Sequence, residues 1–500
     1  MCGLVGGNLF LHPNEVKKSL QSISHRGSDF SNIISLKNGF FLGHNRLSIQ
    51  DLSSNSNQPF ISNCGRYYLV YNGELWKSTF DKWNDYLRSK YDFKTEKSDT
   101  ELLLYFLIHH KQTLMTSINE INGMFSFGFF DLEDEKLILG RDFIGRIPLH
   151  YFYDGMNIIF GSEVKSLISV DKVNKGEIKS LKGGTLLHLD VKKGWGGVKI
   201  ETFYEIKRMF DKPNPNYPKT ETEFHSLETD KGLKYYVDGF RDLLEKSIDD
   251  ELISDVPLAT ILSGGIDSSI ITYLLSKRIP NIECFVVGME TPRKRKDDLY
   301  HSRIVADYLG LKLHEIIISK NQVVDNLEHG VFSSESNKWT QVSPSIPQIF
   351  LSKEIRKQGF KVVFGGEGAD ELFASYGDVK RFCWNVPMDY YKRKVNMLDK
   401  LYLTNLPRTN KVMMYGGEVE LRTPFLSKEL VEFCIKIPTK YRDENEGKGR
   451  LMKYILRKAF ENELPDEILQ RPKKTFQVGA NTDFLKTKKE NMKTIYQRFF

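Results

Sequence analysis

Pro257-Leu258-Ala259-Thr260-Ile261-Leu262 runs directly into Ser263-Gly264-Gly265-Ile266-Asp267-Ser268-Ser269, and Ile270-Ile271 and Leu274-Leu275 follow. The first six residues predict a buried strand, and the last pairs carry the apolar spacing of a helix. Strand, glycine turn and helix start together aim backbone N–H groups and a helix N-terminus at one point, and such a point binds phosphate. Two glycines allow close approach of the backbone, and three serines add hydroxyl donors. Asp267 does not suit a bare phosphate, because like charges repel. It suits a phosphate that carries a cation, which predicts Mg²⁺ on the leaving phosphates. No Gly-Lys-Ser/Thr closes the loop, so this is not a Walker A sequence. An ordinary helix N-cap with an acidic first turn accounts for the same residues without any ligand.

C-terminal to this stretch the signals alternate. Strands are expected over 283–289, 313–318 and 360–364, and helices over 299–309, 322–333 and 346–358. Gly365-Gly366-Glu367-Gly368-Ala369-Asp370-Glu371 follows the last strand. The alternation predicts a doubly wound parallel sheet, in which ligands sit at the carboxyl ends of strands. Both glycine motifs follow strand ends, so both can face one nucleotide. A helix over 235–252 opens this domain, expected to span 235–500. Upstream, Pro213, Pro215 and Pro218 crowd into a polar stretch, which predicts a linker or surface loop over 207–234. A first domain over 2–206 remains.

That first domain has its own candidate chemistry. Once the initiator Met is removed, Cys2 carries both a thiol and a free α-amino group. An α-amine with an ordinary pKa of roughly 7.7–8.0 can serve as a base near neutral pH, so nucleophile and base lie on one residue. Arg46 can grip a carboxylate bidentately. Asn72-Gly73 offers an amide and a backbone N–H, the two donors an oxyanion hole needs, although Asn-Gly is also a favoured hairpin turn. Asp99 follows Ser98 at a helix start and can meet an ammonium or simply cap the helix.

The heptapeptide 263–269 resembles the pyrophosphate-loop signature of ATP-pyrophosphatases. Cys2-Gly3, His25-Arg26-Gly27, Asn45-Arg46-Leu47-Ser48-Ile49, Asn72-Gly73-Glu74 and Ser98-Asp99 occur in the order and approximate spacing of class II glutamine amidotransferases. Together, the chain resembles the glutamine-hydrolysing asparagine synthetase family. The resemblance implies an N-terminal α/β/β/α sandwich and a C-terminal sheet of the ATP-pyrophosphatase type. It implies that Cys2 attacks the glutamine amide, that Asn72 and Gly73 hold the oxyanion, that Arg46 takes the α-carboxylate, and that Glu74 and Asp99 take the α-ammonium side. In the second domain it implies ATP held by Ser263, Gly264, Gly265, Asp267, Ser268, Ser269 and Gly366, with strand-end backbone at Leu262 and Val287 reading the adenine. Asp267 and Asp370 would hold Mg²⁺, Glu367 would orient substrate or handle protons, and Lys473, in Gln470-Arg471-Pro472-Lys473, would stabilise charge on an acyl-adenylate. Arg422-Thr423-Pro424-Phe425-Leu426 also fits. Phe143 and Ile147 stand where relatives usually carry Arg and Lys, and Glu418 interrupts the usual Gly-Val-Glu pattern.

Composition narrows the rest. The 500 residues suffice for two or three domains. Five cysteines without a CxxC suit reduced thiols, no apolar run reaches membrane-spanning length, and a cytoplasmic location is expected. The net charge of +7 is scattered apart from Arg293-Lys294-Arg295-Lys296, which reads as a solvated loop rather than a nucleic-acid site. No membrane or nucleic-acid partner is expected; a homodimer is compatible with the sequence. A β-lactam-forming relative would need no ammonia, and a tRNA thiolase would want a basic platform. The acceptor carboxylate departs from the family. Asparagine-forming relatives often carry Thr-Thr-x-Arg before a Ser-x-Pro helix start, whereas this chain reads Thr340-Gln341-Val342-Ser343-Pro344-Ser345-Ile346-Pro347. Ser343 stands where the guanidinium would meet the aspartate α-carboxylate, and Trp339 offers a flat apolar face. These residues point to a larger acid, such as a uronic acid on a sugar nucleotide of surface-polysaccharide synthesis, with aspartate and a charge from Lys338 or Lys320 as the alternative.

Overall fold

The computed structural model describes residues 1–8, 13–36, 39–171, 173–193, 197–207, 232–290, 297–375, 387–441, 451–473, 480 and 482–500. The basic cluster 293–296 and nearly all of the expected linker lie outside the described residues.

The described residues of the first half form twelve strands: β1 (Gly3–Gly7), β2 (Phe30–Ser35), β3 (Phe41–Arg46), β4 (Phe60–Ile61), β5 (Tyr67–Leu75), β6 (Gly123–Asp131), β7 (Lys136–Arg141), β8 (His150–Tyr153), β9 (Ile158–Gly161), β10 (Lys179–Ser180), β11 (Thr185–Asp190) and β12 (Val198–Thr202). They form two antiparallel six-stranded sheets, in the orders β10-β8-β9-β1-β3-β2 and β12-β11-β7-β6-β5-β4. Side chains alternate faces along a strand, and the cores follow that period. Leu4, Leu42, Val70, Leu139 and Phe160 meet between the sheets. Val5 and Phe41 instead face Val16 and Leu20 of the helix Pro13–Gln21. Leu69, Tyr71, Phe127 and Phe129 face Leu103 and Leu107 of the helix Asp99–His109. The result is a four-layer α/β/β/α sandwich.

The second half holds one parallel sheet of β13 (Leu258–Ile261), β14 (Glu283–Met289), β15 (Leu313–Ile318), β16 (Val362–Phe364) and β17 (Glu420–Arg422), in the order β15-β14-β13-β16-β17. It is covered on both faces, as parallel sheets are. Cys284 joins one apolar cluster with Ile270 and Leu274, and its neighbour Phe285 joins the other with Ile346 and Ile355. No described helix is long and apolar enough to cross a membrane.

Two helix expectations differ from the structure. The stretch expected as one helix over 322–333 is two, Lys320–Asp325 and Leu327–Ser334, the first closed by a Ser319–Gln322 capping box. The helix expected from residue 346 starts at Trp339 and runs through Pro344 and Pro347 to Lys357. Proline ordinarily ends a helix by removing a donor; here Val342 and Ile346 are anchored in the core and hold the axis.

The two halves share a buried apolar cluster in which Met1, Leu47, Trp76, Met124 and Ile147 meet Val362 and Met414. Ile147 therefore fills an interdomain core where a lysine would lose its solvation. Phe143 stacks edge-on against Tyr204. Glu418 takes a left-handed conformation (φ 54°) at the end of the helix Asn405–Gly417. Glycine holds that conformation without strain, so a glycine at this cap would relieve what Glu418 bears.

Candidate active site

The structure places the sequence-derived residues in two sites, one in each half.

In the first, the Cys2 backbone N–H donates to Asn72 Oδ1 at 2.7 Å, and the Cys2 thiol donates to the Leu47 carbonyl at 3.8 Å. Burial pushes the thiol up from its ordinary value, against the lowering effect of the nearby chain terminus. Met1 precedes it, and the Met1 ammonium sits 3.0 Å from Glu420. Asn72 Nδ2 is buried with no hydrogen-bond partner among the described residues. An orphaned amide donor beside a thiol is what an oxyanion would satisfy. Gly73 has φ +151°, and a Cβ there would lie 2.0 Å from the Met124 carbonyl oxygen, so only glycine fits.

Arg46 is not presented as a bare fork. Its Nη1 donates to Ser53 O and Asn57 Oδ1, each at 2.7 Å, and its Nη2 to Asp51 O. The loop 51–57 thus fixes the guanidinium. Glu74 accepts from Gln50 Nε2 at 2.5 Å, and Asp99 accepts from the Tyr71 hydroxyl at 3.0 Å. Burial, with Glu420 and Asp99 beside it, holds the Glu74 carboxyl well above its usual range, and burial raises Asp99 to about 6. Clustered buried carboxylates of this kind favour a cationic ligand. Sequence reading missed Glu420, which comes from β17 of the other half; the Gly-Val-Glu pattern was the available signal.

The second site is a cavity of about 370 Å³. Gly264, at φ +65°, turns against the backbone of His301, and Gly265 caps the helix Ile266–Ser276. Ser263, Gly265, Asp267 and Ser268 line the cavity from this loop, and Gly366, Glu367 and Asp370 line it from the loop after β16. Ser269 is buried behind them. Four expected residues, Leu262, Gly264, Ser269 and Val287, are not on the wall. Leu262 spends its backbone N–H on the Phe285 carbonyl at 2.9 Å, and Val287 is paired within the sheet opposite Ile316. The strand contributes Ile261 instead.

Asp267 and Asp370 face each other across an ammonium group. Lys453 Nζ lies 2.5 Å from Asp267 Oδ2 and 2.6 Å from Asp370 Oδ1. Lys473 Nζ lies 2.5 Å from Asp370 Oδ2. Burial alone would raise the Asp370 carboxyl, but the two lysines outweigh it and hold it far below the usual range. The same carboxylates raise the Lys473 ammonium against the effect of its burial. Burial raises Glu367. Lys453 was not singled out from the sequence, because nothing in Met452-Lys453-Tyr454 marks it. Its left-handed backbone (φ 65°) at the start of the helix Tyr454–Ala459 is a strain that sequence does not display.

Among the described residues no group of three or more His, Cys, Asp or Glu is placed to hold a metal ion. Asp267 Oδ1, however, is buried and has no hydrogen-bond partner among the described residues. Mg²⁺ takes oxygen ligands, commonly one or two carboxylates with substrate phosphates, so this oxygen fits a phosphate-borne ion.

Comparison with known proteins agrees with this geometry. Residues 1–186 match the glutamine amidotransferase domain, and residues 239–390 and 389–498 match asparagine synthase. Asparagine synthetase B of Escherichia coli (strain K12) is 30% identical over 500 residues, covering 95% of this chain and 82% of that protein. The chain belongs to the glutamine-hydrolysing asparagine synthetase family. The probable asparagine synthetase of Schizosaccharomyces pombe is 29% identical, with 94% and 82% covered, and that of Rattus norvegicus is 29% identical, with 93% and 82% covered. Membership makes this protein a carbon–nitrogen ligase with a glutamine amidotransferase domain and an ATP-using synthetase domain.

Ser343, the residue that departs from the asparagine-forming pattern, does not line the cavity. Its hydroxyl donates to Thr482 O at 2.9 Å. Trp339 is packed against the core cluster of Phe285 and Val287 rather than on the cavity wall. The same helix lines the cavity with Thr340, Gln341, Pro344 and Gln348. Arg408, from the helix Asn405–Gly417, reaches the cavity opposite.

Proposed function

We propose that the two sites make an amide in two linked reactions. At the first, the Cys2 sulfur attacks the glutamine carboxamide carbon once Met1 has been removed, and the freed α-amine takes the thiol proton. Asn72 Nδ2 and the Gly73 N–H receive the oxyanion. The C–N bond breaks, ammonia leaves, and water cleaves the thioester to give glutamate. Arg46 holds the glutamine carboxylate, and Glu74 and Asp99 hold its ammonium. The orphaned Asn72 amide beside the thiol is the observation that carries this reading.

At the second site, an acceptor carboxylate attacks the α-phosphorus of ATP and pyrophosphate leaves. Ammonia then attacks the acyl carbon and AMP leaves. Lys453 and Lys473 balance the phosphate charge, and Glu367, raised by burial, can hold or release a proton beside the acyl group. Asp267 and Asp370 would hold Mg²⁺, whose charge would favour departure of the pyrophosphate. A void of about 10 Å³ lined by Met124, Arg146, Ile147, Leu406, Asn410 and Thr423 lies between the halves, and Leu406 also lines the synthetase cavity. It supports an internal route for ammonia.

For the acceptor, the observation that carries the reading is Ser343, turned onto Thr482. The helix Trp339–Lys357 offers no guanidinium at that position, which supports an acceptor other than aspartate, the class proposed being a larger carboxylic acid such as a uronic acid of a sugar nucleotide. Trp339 adds nothing to this, since it stands off the wall. A second reading, aspartate, is favoured by Arg408, which brings a guanidinium to the same cavity from another helix. Pyrophosphate release across aspartate, glutamate and uronic-acid nucleotides decides between them. Turnover of aspartate with none for the sugar acids ends the first reading.

A further inference from the structure

Beside the strand-end backbone expected to meet the base of the nucleotide, the helix Trp339–Lys357 brings a side chain that can read it. Thr340, Pro344, Gln348 and Leu351 recur at the spacing of one helix face, and all four line the cavity. Leu351 belongs to the apolar cluster that also holds Val287, and Ile261, at the carboxyl end of β13, packs against that cluster. This is the sheet end at which parallel α/β folds place nucleotides. The charged groups, Asp267, Asp370, Lys453 and Lys473, gather instead at the two glycine loops.

Gln348 is the polar member of the apolar end. Its side chain is only 6% exposed, and its Oε1 is buried with no hydrogen-bond partner among the described residues. A buried amide acceptor without a partner is costly and calls for a ligand that donates. We propose that Gln348 reads the base edge of the nucleotide and selects adenine. A carboxamide matches adenine with two parallel hydrogen bonds, accepting from the N6 amine and donating to N7. Guanine and hypoxanthine present O6 in place of the amine, which sets carbonyl against carbonyl. Ile261 and Leu351 provide the apolar sides between which a planar base lies.

The inference rests on the cavity being the ATP site, and its test separates the two. Equilibrium binding of ATP and of inosine triphosphate is measured, with Mg²⁺ and without acceptor, on the full chain and on Gln348→Leu, a variant that keeps the size and removes the fork. Glutaminase activity reports that each protein is folded. The full chain is expected to prefer ATP about tenfold or more, the equivalent of about 1.4 kcal/mol. Gln348→Leu is expected to lose that preference by weakening ATP alone. Equal weakening of both nucleotides would mean that Gln348 only shapes the wall, and would overturn the proposal. Unchanged ATP binding with a raised KM for the acceptor would assign Gln348 to the other substrate, and would equally overturn it. No binding of either nucleotide by the folded full chain would instead refute the cavity assignment beneath it.

Discussion

Replacing Lys453 by Met tests the synthetase site at its least expected member. The ammonium is 1% exposed and touches both Asp267 and Asp370, at 2.5 and 2.6 Å. Each charge-assisted contact is worth about 1.5–3 kcal/mol, so loss of both removes about 3–6 kcal/mol of favourable interaction. Lys473 stays 2.5 Å from Asp370 and 4.0 Å from Asp267, which leaves Asp370 paired and Asp267 nearly bare. The lower half of that range is therefore the better guide, about a hundredfold in rate if the contacts serve the transition state. Pyrophosphate release with saturating ammonium is expected to fall at least about a hundredfold. Glutaminase activity, which depends on Cys2 and Asn72 in the other half, is expected to stay within about threefold. Lys453→Gly adds a control: it relaxes the left-handed backbone, by about 1 kcal/mol, yet loses the same chemistry. Pyrophosphate release near the unmodified rate in either variant would refute the reasoning.

Three further outcomes follow from the geometry. Cys2→Ala is expected to abolish glutamine-dependent amide formation and to spare the ammonium-dependent reaction, as measured by product formation with each nitrogen source. Asp267→Asn and Asp370→Asn are each expected to stop pyrophosphate release with every acceptor while glutaminase activity persists. Asp99 sets a pH dependence. Its carboxyl is raised to about 6, so the folded protein holds it protonated below that pH, and an ammonium is bound by the charged form. The glutaminase kcat/KM for glutamine is expected to rise through about pH 6, and Asp99→Asn is expected to remove that limb of the profile. Stability runs the other way: the contribution of a raised carboxyl is full below its ordinary value and is lost as pH climbs through about 6.

The parallel sheet was legible where apolar runs are bounded by breakers. β14 and β15 have the bounds expected of them, because 283–289 and 313–318 are dense in apolar and β-branched residues. The Trp339 helix was misread because Pro344 and Pro347 outweigh its pattern locally, and only tertiary packing overrides them. Cys2, Asn72, Asp267 and Asp370 carry local motifs and could be named. Lys453 and Glu420 could not be assigned roles in the same way. Each is brought to its site by chain that folds in from elsewhere; a lone Lys has no spacing to betray it, and the Gly-Val-Glu pattern marks Glu420 without showing that it reaches the first site. Leu262 and Val287 stand at strand ends, where the Leu262 N–H meets the Phe285 carbonyl and Val287 is paired opposite Ile316.

The way the halves are joined bears on why one chain carries both reactions. Arg26 is fully buried and donates in three directions: Nε to the Cys2 carbonyl at 2.8 Å, Nη1 to Glu163 at 2.7 Å, and Nη2 to Asn410 of the second half at 2.8 Å. Glu163 also meets Lys165, whose backbone N–H donates to Glu335 of the second half, and Lys411 closes the circuit at 2.8 Å from Glu335. Buried ion pairs of this kind add little net stability, because desolvation offsets attraction, yet breaking one by removing a partner costs about 3–5 kcal/mol. Such an interface resists sliding more than it resists unfolding. Asn410 lies on the helix Asn405–Gly417, whose Asn405 and Arg408 line the synthetase cavity. One rigid helix therefore touches both the guanidinium that holds the nucleophile's backbone and the wall of the distant site. That helix is connected to Cys2 through two hydrogen bonds in series, Asn410 to Arg26 and Arg26 to the Cys2 carbonyl.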